Sequence, residues 1–272
     1  MFFAYMAAGA DRSIKKAGAE PAAADAPEEA AFLERYDPAE FERPSVTVDV
    51  VLLTVRDGEL YTLVVQRPEP PAKGRWALPG GFVRIREPLE DGAHRVLRTK
   101  CSLENVYVEQ LCTFGEPDRD PRMRVISVGY FALVDARRFD RACHAQSGKH
   151  HVTMARVVVP WDGETGGAVH LVDAQGESLP LAFDHSDILA VAVKRIRGKL
   201  DYSPIGFQLL PERFTLLALQ GVHETVLGRK LNKDSFRRRM LSSGELVATG
   251  EMQSGVDHRP AELYRFLKRS AI

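Results

Sequence analysis

Along the first 43 residues the chain shows no regular alternation of apolar and polar positions; Ala, Pro and Glu dominate, as in AGAEPAAADAPEEAA. Such a stretch buries little apolar surface, which predicts a mostly disordered tail with a short helix near Phe32 to Tyr36. At Ser45 the pattern changes. Val46, Val48, Val50 and Leu52 alternate with Thr47 and Asp49, the period of a strand. Asp57-Gly58 separates this run from a second β-rich run, Leu60 to Arg67, and Asp-Gly is a strong hairpin signal. After a Pro-rich loop (PEPPAKGRW) come ALPGGFV, a helix from Pro88 to about Cys101, and strands at 106–114, 125–134 and 155–160. The pattern predicts an α+β domain over 44–182.

Beyond Asp184 the period is helical. FDHSDILAVAVKRIRGKL reads as an amphipathic helix with Asp184 or Ser186 as N-cap and basic residues in its last turns. Leu216, Leu219, Val222 and Val226 recur at helical spacing until Gly228, and a shorter helix follows Asn232, with Phe236 and Met240 one turn apart and Gly244 closing it. Two strand-like runs, 246–252 and 263–267, flank QSGVDHRPAE. Helix, short basic helix and two-stranded hairpin is the order of a winged helix-turn-helix, so residues 183–272 are expected to hold a linker helix and such a domain.

Composition sharpens this division. The 272 residues carry 37 basic and 37 acidic side chains, a net charge of zero. From Lys194 to Ile272, however, 15 Lys and Arg face 8 Asp and Glu, leaving +7 there and −7 elsewhere. A basic C-terminal part fused to an acidic remainder points to a polyanion partner for one half only. No apolar run approaches the roughly 20 residues of a membrane span. The N-terminus, apolar first and charged after, reverses the order of a secretory signal. Three cysteines without C-x-x-C spacing read as free thiols of a reducing cytoplasm, where a nucleoid-associated location is expected.

Two stretches carry the candidate chemistry. In RWALPGGFVRIRE, Gly81 is followed by five residues and Glu87, and seven residues later stands Arg95. This spacing resembles the Nudix box, Gly-x5-Glu-x7-Arg-Glu-apolar-x-Glu-Glu-x-Gly. The box's three further Glu positions are Val96, Thr99 and Lys100 here, and its last Gly is Ser102. At i, i+3 and i+4 these positions share one helix face. In the enzymes that face presents carboxylates to a divalent metal, which needs hard anionic oxygens. Valine offers no ligand, threonine a neutral hydroxyl and lysine a repelling charge. No catalytic residue, metal site or required cofactor is therefore expected. A nucleotide pocket remains: Gly80 and Gly81 would admit a phosphate, Arg67, Arg84 and Arg86 would neutralise it, Glu87 would line it, and Trp76 or Phe82 would stack on adenine. Equally, Gly80-Gly81 is a tight corner and Trp76 core filling.

The second stretch, FTLLALQGVHETVLGRKLNKDSFRRRM with HRPAELYRF, resembles the C-terminal end of the Nudix-related transcriptional regulators, the NrtR family, as does YDPAEFERPSVTVDVV. The resemblance spans about residues 36–272. It implies a Nudix-like α/β/α sandwich that does not hydrolyse, joined to a winged helix-turn-helix that represses genes of NAD biosynthesis, with ADP-ribose or a related nucleotide as effector. Lys230, Asn232, Lys233, Ser235, Arg237, Arg238, Arg239, His258 and Arg259 are the candidate DNA contacts. Residues 237–239 sweep about 200° of helix, so Arg237 and Arg238 are expected on the duplex, with Arg239 a possible third. The family often has Asn where this chain has Ser235, and serine lacks the bidentate adenine contact. A palindromic double-stranded operator and a homodimer go with such a module. The alternative is a hydrolase of ADP-ribose or a dinucleotide with a basic accessory domain. A zinc site at Cys143, His144, His150 and His151 is disfavoured by its spacing in a polar loop, and His185 and His223 read as capping or packing residues.

Overall fold

The computed structural model describes residues 26–146, 152–200, 202–257 and 259–267. Two units separate, with the break at Arg43–Pro44. In the first, α1 (Ala26–Arg35) is followed by a single 3-10 turn, Pro38–Glu40, whose N-cap Asp37 accepts from the Ala39 amide at 2.8 Å. The helix is longer than the short one expected around Phe32.

The second unit contains β1 (Ser45–Arg56), β2 (Glu59–Gln66), β3 (Trp76–Ala77), β4 (Gly80–Phe82), α2 (Leu89–Cys101), β5 (Tyr107–Phe114), β6 (Val125–Leu133), α3 (Ala136–Gln146), β7 (Val152–Val158), β8 (His170–Val172), α4 (His185–Lys199), α5 (Leu216–Leu227), α6 (Lys233–Ser242), β9 (Leu246–Met252) and β10 (Glu262–Phe266). The sheet order is β5-β6-β1-β2-β7-β8, with β3 on β2 and β4 on β1. Only β1 and β6 run parallel. Asp57 and Gly58 turn β1 into β2 with φ of 50° and 76°, the positive pair that such a two-residue hairpin requires.

β1 is covered on both faces, so the alternation seen at its start gives way to an unbroken apolar run. Val48, Val50 and Leu52 pack under α2 and α3, meeting Val96, Leu97 and Phe139; Val51 and Leu53 pack under α4, meeting Ile188, Leu189 and Ile196. This is an α/β/α sandwich. The helix α4, expected as a linker outside the first domain, is its third layer. The same core runs on through Phe207, Leu219 and Val222 to Phe236 and Met240 of α6 and Tyr264 and Phe266 of β10. A division at 182/183 would therefore cut through continuous packing.

Of the elements that went unread in the sequence, two are worth naming. One is α3, begun by Asp135, whose carboxylate accepts from the Arg137 and Arg138 amides; its apolar Phe139 and Ala142 recur at helical spacing. Cys143 and His144 thus lie on a helix rather than in a loop, while His150 and His151 lie outside the described residues. The other is β8, too short to show a period.

Arg197 near the end of α4 ties the layers together. It is 3% exposed and donates to the carbonyls of Val226 (2.7 Å) at the end of α5 and of Trp161 (2.7 Å) and Gly163 (3.1 Å) beyond β7, with its guanidinium 4.5 Å from the Trp161 ring. Gly228 ends α5 at φ 71°, and a Cβ there would stand 2.9 Å from Arg197 Nη2. Replacing Arg197 by Leu leaves these buried carbonyls unsatisfied, and a loss of about 3 kcal/mol is expected from the urea midpoint. A loss below about 1 kcal/mol would show that water replaces the guanidinium.

Candidate functional site

The box glycines open onto a cavity of about 260 Å³ between the ends of β1, β2, β4 and α2, the loop 115–124 and the start of α4. A larger cavity, about 440 Å³, lies between the β1–β2 turn, β7, α4 and α5, but its Arg197 and Glu224 are already committed to internal partners. The smaller one gathers polar groups that face open space.

At its floor is Asp49, 6% exposed. Asp49 Oδ2 accepts from Ser127 Oγ, and Oδ1 lies 3.7 Å from His185 Nε2. Antiparallel pairing of β1 with β4 sets Gly80 opposite Asp49, where a Cβ would stand 2.0 Å from Asp49 Oδ1. That contact explains Gly80; at Gly81 the nearest atom to a Cβ is Val96 Cγ2, at an ordinary 3.7 Å. His185 Nδ1 accepts from the Leu78 amide at 2.9 Å and is thereby fixed as the unprotonated nitrogen, while burial pushes the imidazole pKa down.

Cations ring the rim. Arg119 forms a two-pronged pair with Asp184 (2.8 and 2.6 Å) and reaches within 3.8 Å of Asp49. Arg122 pairs in the same way with Asp120 (3.0 and 2.8 Å), holding that carboxyl below its usual range, and lies 5.7 Å from the Phe82 ring. Arg67 stands 4.8 Å from the Phe183 ring. Lys100 also lines the cavity.

Of the residues expected to meet a nucleotide, Arg67, Gly80, Gly81 and Phe82 line this cavity and Trp76, Arg84, Arg86 and Glu87 do not. Trp76 is half-buried against the core, its backbone joined to Pro180 and Ala182. Arg84 and Arg86 are exposed on the β4–α2 loop. Glu87 is taken by Arg95, which donates to Oε1 at 2.6 Å and Oε2 at 2.7 Å and also to the Phe82 carbonyl; the pairing lowers the Glu87 pKa to about 2. The residues missed were Asp49, Lys100, Arg119, Asp120, Arg122, Phe183 and His185. His185, read as a packing group, does both. Among these missed residues, Asp49 carried a sequence signal, a charge inside an apolar strand.

The metal of the Nudix enzymes does not fit this donor set. Val96 is buried in the core, Thr99 Oγ1 donates to the Arg95 carbonyl at 2.8 Å, and Lys100 is cationic. Among the described residues no group of three His, Cys, Asp or Glu side chains is placed to hold a metal ion.

The winged helix presents the other surface. Thr215 caps α5 by accepting from the Ala218 amide, and Asn232 caps α6 by accepting from Ser235. The Asn232 side-chain oxygen is thus spent on the helix rather than on a base. Glu224 pins the turn between the helices, accepting from the Leu231 amide (3.0 Å), Gln220 (2.8 Å) and Lys230 (2.8 Å), so Lys230 has an internal partner as well as an exposed side chain. Phe236 and Met240 face the core, with His223 edge-on to Phe236. Lys233, Ser235, Arg237, Arg238 and Arg239 are exposed, as is Arg259 beside the wing; His258 lies outside the described residues.

Two family models match, the NUDIX domain over 43–162 and the NrtR DNA-binding winged helix domain over 206–266. The chain is 35% identical over 240 residues to the ADPR responsive transcriptional repressor NtrR of Acinetobacter baylyi, covering 88% of each. The chain belongs to the NrtR family. A crystal structure of Shewanella oneidensis NrtR with a 27mer DNA matches at TM-score 0.66 and 36% identity, over 81% of this chain and 93% of that one. A MutT/nudix family protein from Enterococcus faecalis matches at 0.69 and 27% identity, over 88% and 93%. The ADP-ribose pyrophosphatase of Methanocaldococcus jannaschii is 36% identical, but over 85 residues, 31% of this chain and 48% of that protein. Membership in the NrtR family makes the chain a winged-helix transcription regulator, and no helix among the described residues is long and apolar enough to cross a membrane.

Two outcomes follow from the site's geometry. Gly80→Ala should cost about 2–3 kcal/mol through its collision with Asp49, whereas Gly81→Ala should stay within about 1 kcal/mol; thermal melts of the pair test the difference. The depressed Glu87 carboxylate adds stability that is complete above its ordinary pKa of 4.5 and is lost as pH falls through about 2. Melting temperature against pH should therefore fall less steeply below pH 4.5 in Glu87→Gln than in the parent.

Proposed function

We propose that this chain is a homodimeric repressor that binds a palindromic operator through α6 and releases it when ADP-ribose, or a related NAD-derived nucleotide, enters the cavity beside Asp49, and that it hydrolyses nothing. The effector reading is supported by the relative's description as ADPR responsive and by aromatic rings and cations gathered around one cleft. The genes it controls are those of NAD biosynthesis, in keeping with the resemblance set out above. The absence of turnover follows from the Val96, Thr99 and Lys100 face, which offers a metal no carboxylate.

One observation carries the mechanism: α4 begins at the cavity and ends against α5, the first helix of the winged domain. Phe183, Asp184 and His185 at its start line or brace the cavity, and Arg197 near its other end holds the last carbonyl turn of α5. A nucleotide that draws Arg119 or His185 to itself changes the seating of α4, and with it the spacing of two recognition helices across a dimer. Differential affinity for the two spacings is all that such regulation needs.

Duplex fragments from the protein's own genome should be retarded in gels at low ionic strength, and ADP-ribose should weaken that retardation. Arg237→Ala with Arg238→Ala should reduce affinity at least about tenfold and flatten its dependence on salt. Incubation of ADP-ribose with Mg²⁺ and protein should give no AMP. Turnover that disappears in Glu87→Gln would instead establish the hydrolase.

A further inference from the structure

The carboxylates of the cavity are all spoken for. Asp49 is held by Ser127, His185 and Arg119, Asp120 by Arg122, and Asp184, which braces the rim, by Arg119. Its cations are not. Arg119 and Arg122 have carboxylate partners, but among the described residues the Arg67 guanidinium donates to the Pro71 carbonyl and to no carboxylate, and Lys100 has no ion pair within 4 Å. Two cations without a carboxylate in ion-pair contact thus face one cleft.

Lys100 is also the residue that stands where a Nudix enzyme places the last of its metal-binding carboxylates, on the helix face that looks into the cleft. A divalent cation held there would supply positive charge to a diphosphate. A lysine ammonium on the same face supplies positive charge from the chain itself, three donors on a flexible stem. Burial pushes the Lys100 pKa down and nearby Asp49 pulls it back up, so an incoming phosphate would meet an amine already short of water.

We infer that Lys100 is the built-in replacement for the metal: with Arg67 it binds the diphosphate of the effector directly, so that nucleotide binding needs no divalent cation. This rests on the effector reading above but extends it to the ligand's charged part, a diphosphate of two negative charges matched by two unpaired cations. It also accounts for the substitution as a gain of binding rather than a mere loss of chemistry.

Titration calorimetry of the full-length protein tests it, with ADP-ribose in Mg²⁺ and in EDTA and with inorganic pyrophosphate in EDTA. The parent should bind ADP-ribose equally under both conditions. Lys100→Met should weaken binding about tenfold to a hundredfold, the range of one charge-assisted hydrogen bond, and Lys100→Arg should retain most of it. Lys100→Glu should lose binding in EDTA and regain part of it with Mg²⁺. Melting curves establish that each variant is folded, and Lys100→Arg keeps the test decisive if Lys100→Met is not. Parent binding abolished by EDTA, or Lys100→Met binding as tightly as the parent, would overturn the inference. Lys100-dependent binding of pyrophosphate without any binding of ADP-ribose would sink the effector reading and leave this one standing; binding of neither would sink both.

Discussion

A guanidinium that cannot reach water must find its acceptors inside the protein, and Arg197 finds them in two places at once. Val226 lies in the last turn of α5, the first helix of the DNA-binding motif, while Trp161 and Gly163 follow β7 of the sandwich. Desolvating an arginine is costly unless its donors are met with good geometry, so the two parts are held in one arrangement rather than merely tethered. The apolar core says the same by other means, because the stripe of α4 from Ile188 to Ile196 is covered by the sheet on one side and adjoins α5 on the other.

At the opposite end of α4 the dominant constraint is a carboxylate. Asp49 sits in the middle of a hydrophobic strand, and its neighbours are arranged around its carboxyl group: a serine hydroxyl, an arginine, and a glycine whose missing side chain makes room for it. The remaining acids near the cavity are each matched by an arginine. The electrostatic character left facing open space is positive, which suits a phosphorylated ligand and not a divalent ion.

Much of this was readable before any coordinates. The β1–β2 hairpin, α2, and the helix-helix-hairpin order of the winged domain follow from period, Asp57-Gly58 and Gly228, since local sterics fix turns and caps. The substituted face of α2 is likewise legible, because helical spacing alone puts residues 96, 99 and 100 together. The partners of that face were not. Arg119, Asp120 and Arg122 come from a loop whose place is set by the parallel pairing of β1 with β6, a contact between strands some 80 residues apart. Glu87 was expected to line the pocket and Trp76 was open to stacking or core filling; Arg95 holds the first and the core the second. The role of α4 escaped for a similar reason: an amphipathic helix shows that one face is buried but not against what.

The pairing of Glu87 with Arg95 has a consequence for how such a chain can change over evolutionary time. In an enzyme that glutamate would be kept for its chemistry. Here it also fastens the loop between β4 and α2, through Arg95 to Phe82 and through the Arg84 amide. Purifying selection on those two residues would persist after the pressure on positions 96, 99 and 100 had lapsed. A half-preserved motif then has two separate reasons for its residues, one architectural and one chemical, and only the first is needed for this pair.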